Sequence, residues 1–220
     1  MKVAVGVLFL LVVGISPSSY LLKDARGQGL REMVIGQVDD KGKASREAEM
    51  RHLTERMEQS YIAEQRRVKP IEDRFSEGVR RSSAIVLYEG LPHQMFEKRL
   101  LEEERGTKAV QEVQGFPFYR EKLKLKDMDA TRLSEVLSNT EKLGRVPVPG
   151  MVKRCGGFHP DYAVEWSQGE KRFQALICFG CGDVRLFGSG DYAERDLHEE
   201  VNAELKKLLL VYRKNRPPKG

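Results

Sequence analysis

Tyr162-Ala-Val-Glu-Trp-Ser-Gln-Gly-Glu-Lys-Arg-Phe-Gln-Ala-Leu-Ile-Cys-Phe-Gly-Cys-Gly-Asp-Val-Arg-Leu-Phe187 is the stretch that decides the fold. Tyr162 to Trp166 alternates as a half-buried strand does. Gln168-Gly-Glu170 supplies a turn, and Arg172 to Phe179 is a second strand rich in apolar and aromatic residues. Gly180-Cys-Gly182 turns again into Val184-Arg-Leu-Phe187. Strands joined by connections this short pair antiparallel, so the segment reads as a three-stranded meander. Three strands alone are marginal and need a covering layer. Downstream, Gly188-Ser-Gly190 breaks the pattern, and Asp191 to about Tyr212 reads as an amphipathic helix. Its Leu197, Val201, Leu205, Leu208 and Leu209 would cover one face of the sheet.

Upstream, Ala84-Ile-Val-Leu-Tyr88 is strand-like and His93 to Arg105 is helical, with Phe96 and Leu100 on one face. Gly115-Phe-Pro-Phe-Tyr119 is extended, because Pro117 resists a helix. Asp129 opens a helix carrying Leu133, Val136 and Leu137, and the prolines of Gly144 to Gly150 mark a loop. The fold class that follows is α+β: a small antiparallel sheet packed with helices, in a domain spanning residues 84–220.

Residues 1–22 differ in kind. Lys2 precedes an uncharged run from Val3 to Ile15, followed by Ser16-Pro-Ser-Ser19. That order describes a secretory signal peptide cut near Ser18, or, if uncleaved, a membrane anchor reaching Leu22. Residues 23–83 form a charged linker and helix. Gly27, Gly29, Gly36 and Gly42 mark flexible chain. From Ala44 the pattern turns helical, with Met50, Leu53, Met57 and Tyr61 on one stripe and a stop before Pro70.

The chain has 220 residues, 40% hydrophobic and 32% charged, with a net charge of +5. Basic and acidic residues are mixed almost everywhere, so no basic stripe with interleaved aromatics signals nucleic acid. Only Arg213 to Lys219 is locally basic, and it reads as a solvated tail. The one partner implied is a membrane, through the N-terminal segment if it is retained.

Three cysteines carry the remaining chemistry: Cys155, Cys178 and Cys181. With His159, four residues after Cys155, they make a Cys₃His set that could hold structural zinc. The alternative is a Cys178–Cys181 disulfide, which an exported protein would form. A redox role is disfavoured, because a reactive pair with two intervening residues sits at a helix N-terminus and this one lies between strands. A thiol or hydrolytic enzyme built on Cys155, His159 and Asp161 lacks any local nucleophile signature.

Cys155-Gly-Gly-Phe-His-Pro-Asp-Tyr-Ala-Val-Glu-Trp166 and Leu176-Ile-Cys-Phe-Gly-Cys181 together resemble a family of uncharacterised bacterial exported proteins. Leu87-Tyr-Glu-Gly-Leu-Pro-His93, Gly115 to Tyr119 and Tyr212 to Pro217 belong to the same pattern. The resemblance covers residues 84–217 and implies export and one continuous domain. It implies no activity, substrate or catalytic residue. The function expected is a non-enzymatic binding or structural module, exported or membrane-tethered, with a zinc-binding domain as the alternative.

Overall fold

The structure is a computed structural model and describes residues 40–148 and 156–216. The signal or anchor segment, Cys155 and the end of the tail lie outside the described residues. The chain divides between Ala48 and Glu49, and the fold below belongs to the second part.

The architecture is α+β, built on one eight-stranded sheet. The strands are β1 (Ala84–Gly90), β2 (Val110–Val113), β3 (Phe116–Leu123), β4 (Gly144–Arg145), β5 (Tyr162–Gln168), β6 (Lys171–Cys178), β7 (Asp183–Ser189) and β8 (Asp191–Leu197). Their spatial order is β2-β3-β1-β5-β6-β7-β8-β4, and every pairing is antiparallel. The meander expected from the sequence is β5-β6-β7. It sits mid-sheet, with Trp166 opposite Phe173 and Ala175 opposite Leu186.

Three helices cover one face: the C-terminal half of α1 (Asp40–Arg81), α3 (Asp127–Ser138) and α5 (Glu199–Leu209). Two shorter helices are α2 (Lys98–Thr107) and α4 (Thr140–Leu143). Strand alternation sends Tyr162, Val164 and Trp166 of β5, and Phe173, Ala175 and Ile177 of β6, into this helical layer. Phe75 of α1 meets the Trp166 ring edge-on at 5.6 Å, and Trp166 Nε1–H donates to Ser134 Oγ of α3 at 2.8 Å. The opposite face carries a second cluster of Tyr88, Val113, Phe118, Ala163 and Leu176. Gln114 and Gly115, both with positive φ, form the two-residue turn between β2 and β3. Gln114 Nε2–H donates to Gln174 Oε1 on β6 at 2.6 Å, although β1 and β5 intervene in the sheet. Strands lie about 4.8 Å apart, so the hairpin must fold back over this face to make that bond.

The helix read over His93 to Arg105 is Lys98–Thr107, with Phe96 outside it, and two further differences bear on the core. First, the charged helix does not stop before Pro70; α1 runs through it to Arg81. Proline inside a helix costs about 3 kcal/mol. Val68 just before it and Ile71, Phe75 and Val79 beyond it are all at most 4% exposed. Each such burial contributes about 1.5–3 kcal/mol, so packing outweighs the broken hydrogen bond. The C-terminal end of the segment read as a charged linker and helix, from Val68 to Val79, therefore forms part of the core. Second, the final helix does not begin at Asp191. Residues Asp191–Leu197 are β8, and the helix starts at Glu199. The inward positions of β8 include Arg195, whose charge hid the alternation. It is matched by Glu72 of α1, 1% exposed, to which Arg195 donates at 2.5 and 2.7 Å, and by the Gly144 carbonyl at 3.0 Å.

Candidate functional site

β1 ends at Gly90, where a Cβ would lie 2.1 Å from the Pro160 carbonyl oxygen. Only glycine lets the chain before β5 approach so closely. Gly90 N–H donates to Asp161 O and Asp161 N–H to Ile177 O, each at 2.7 Å. These bonds bring Leu91-Pro92-His93, residues 158–161 and the β6–β7 turn to one end of the sheet.

His93 organises the turn that leads to α2. Its N–H donates to Glu97 Oε2 at 2.8 Å, while its Nδ1 accepts the N–H groups of Met95 and Phe96 at 3.0 and 3.4 Å. An accepting Nδ1 places the proton on Nε2, which is buried and has no acceptor among the described residues. The His159 ring stacks on His93 with centroids 4.5 Å apart. His159 Nε2 donates to the Pro92 carbonyl at 3.2 Å, which assigns its proton as well. Burial, reinforced by His93, pushes the His159 pKa below the usual histidine value, against the opposing charge of Asp161.

The tail returns to the same place. Glu89, 1% exposed, accepts the backbone N–H groups of Lys214, Asn215 and Arg216 at 3.0, 2.7 and 2.9 Å. Arg216 then points inward, its side chain 9% exposed, and donates to Asp161 Oδ1 at 2.7 Å and Glu97 Oε2 at 2.6 Å. Burial opposes its charge, yet Asp161 and Glu97 outweigh that and raise its pKa. The tail is thus not the solvated segment its composition suggests. Asp161 Oδ2 accepts the Phe179 N–H at 2.7 Å, so both its oxygens are engaged.

Cys178 closes β6 as a free thiol, 3% exposed. Burial pushes its pKa up, despite N–H groups of His159 and Cys181 aimed at the sulfur. Cys181 is disulfide-bonded, and its Sγ lies 3.5 Å from the Gly157 carbonyl oxygen. The Cys178–Cys181 disulfide that stood as the alternative to the zinc set is therefore not formed. The Cys181 sulfur is already committed to a disulfide, and Cys178 Sγ instead accepts the Cys181 N–H at 3.3 Å. The structure brings His159, Cys178 and Cys181 to one end of the meander. Among the described residues no group of three or more His, Cys, Asp or Glu side chains could hold a metal ion. Cys155, the fourth member of the zinc set, lies outside them. His159 and Asp161 are neighbours without a hydrogen bond between them: one faces Pro92, the other Arg216 and Phe179.

Between these groups and α5 lies a cleft of about 580 Å³. His159, Phe179, Lys206, Leu210 and Arg213 line it, with Phe96 at 66% exposure. Sequence reasoning missed Glu89, His93, Glu97, Lys206 and Arg216. Glu89 alone carried a signal, as a carboxylate ending an apolar strand where alternation points inward.

No family model matches the chain, and neither does any curated protein or solved structure. No helix among the described residues is long and apolar enough to cross a membrane.

Proposed function

We propose that this chain is an exported or membrane-tethered binding module, non-enzymatic, that takes a small ligand in the cleft at the end of its sheet. The cleft carries the reading. Its volume of about 580 Å³ falls in the range of small-molecule sites, and it joins apolar side chains to a few polar ones. The state of the polar groups speaks for binding rather than catalysis. Cys178 is held as a buried thiol, not a thiolate, so it is a poor nucleophile. His93 and His159 have ring nitrogens bonded to backbone groups, and Asp161 and Glu97 are committed to Arg216. A disulfide at Cys181 suits an oxidising compartment, in keeping with export behind an N-terminal signal or anchor.

The test uses a neutral fluorescent probe, N-phenyl-naphthylamine. It should bind the folded protein saturably, one per chain. Phe96→Ser and Leu210→Ser, both at exposed positions, should each weaken it by about tenfold through lost apolar contact. Non-saturating binding, or affinity unmoved by both substitutions, would overturn the cleft as a ligand site.

A further inference from the structure

Among the described residues the cleft wall is unbalanced in charge. Lys206, Arg213 and Arg216 contribute three cations, and Glu97 and Asp161 two carboxylates. Both carboxylates bond the Arg216 guanidinium, at 2.6 and 2.7 Å, and Asp161 also accepts the Phe179 N–H. They are neutralised where they stand and leave nothing for the other cations. Stacked at 4.5 Å with their proton-bearing Nε2 atoms assigned, His93 and His159 add no negative charge.

Lys206 is the cation left over. It lies in the last turn of α5, and its Nζ sits 5.8 Å from the Phe179 ring centroid, a contact that holds the ammonium against the cleft wall. Among the described residues it has no ion pair and no hydrogen bond. Its neighbour Lys207 projects to the exposed side of the helix. Among the described residues the wall is also short of acceptors: His93 Nε2 and Arg216 Nε are buried N–H donors without a partner there, and the Arg216 side chain is nine-tenths buried. A half-buried ammonium without a counter-ion and two unmatched donors all call for the same thing, a negatively charged acceptor. The rest of the lining, Phe96, Phe179 and Leu210, calls for an apolar body.

From this we infer that the ligand is a small amphipathic organic anion. Its acidic head pairs with Lys206, and its apolar body lies against Phe96, Phe179 and Leu210. The inference rests on the cleft being a ligand site and goes further by naming the ligand's chemistry.

Two probes with nearly the same aromatic body separate the questions: anilinonaphthalene sulfonate, which carries an anionic group, and N-phenyl-naphthylamine, which does not. Binding to the full folded chain is followed by fluorescence at low salt, with circular dichroism confirming that each variant is folded. The sulfonate should bind at least about tenfold tighter than the neutral probe, the advantage expected of one charge-assisted contact. Lys206→Gln should abolish that advantage while leaving the neutral probe unchanged, and Lys207→Gln should change neither. Added salt should erode the advantage in the wild type. Equal affinity for the two probes, or sulfonate binding indifferent to Lys206→Gln, would overturn the anionic ligand and leave the cleft standing. Failure of both probes to bind would overturn the cleft itself.

Discussion

His159 shows how one buried side chain ties the site to pH. Burial first, then the adjoining His93 ring, hold its pKa below the unfolded value, with Asp161 opposing. The folded protein therefore favours the neutral ring, and the unfolded chain takes up a proton at a higher pH. Stability from this residue is present above the ordinary histidine pKa of about 6.5 and is lost as pH falls through the lower folded value. Arg216, Lys206 and Arg213 also line the cleft, so a second cation beside them is unwelcome, and Asp161 and Glu97 are already held by Arg216. The melting temperature should fall between pH 7 and pH 5, and His159→Gln should flatten that fall. An equally steep acid transition in the variant would show that other groups carry it. The residue types at this site were partly legible. His159 and Cys178 stood out by spacing, but Glu97 and Arg216 are 119 positions apart, and no local pattern announces a pair made by the fold.

At the scale of elements, α1 is the surprise and the best place to probe the core. Phe75 is fully buried against Trp166. Phe75→Ala should destabilise the domain by about 3–5 kcal/mol, through lost burial and the cavity left behind. Met57→Ala, on the exposed stretch of the same helix, should change stability by less than about 0.5 kcal/mol. Chemical denaturation of the two variants measures both. The apolar spacing Val68, Ile71, Phe75, Val79 was in the sequence all along, but local chemistry at Pro70 argued for a stop. Tertiary packing overrode it, as it overrode the charged texture of β8. The β5-β6-β7 meander was readable because its turns are short and glycine-rich and its alternation clean. Strand β4, two residues long and paired with β8, has no signal that a sequence could give.

For the whole domain, α1 links a solvated stretch to a packed one. Every described side chain from Ala44 to Ser60 is exposed, whereas Val68 to Val79 supplies the core. Limited proteolysis should cut first between residues 44 and 60 and leave a resistant fragment that keeps the C-terminal half of α1. A stable fragment beginning near residue 84 would show that the helix is dispensable. The sequence reading placed the boundary there because charge density was the visible cue. Composition reports average polarity, whereas a helix buries a single stripe that an average conceals.

The carboxylate of Glu89 takes hold of the tail by main-chain N–H groups at three successive residues. Every amino acid but proline carries that group. Attachment therefore depends chiefly on the backbone at position 215, where the Asn215 side chain adds only a longer bond to Glu89 Oε2 at 3.4 Å. One codon change to proline there removes a donor from the middle of the grip. Glu89, by contrast, has no such freedom, because its amide analogue would turn an N–H donor toward the same three donors. The tail and its anchor thus carry unequal chemical constraints: a backbone group that most residues supply on one side, and a carboxylate on the other.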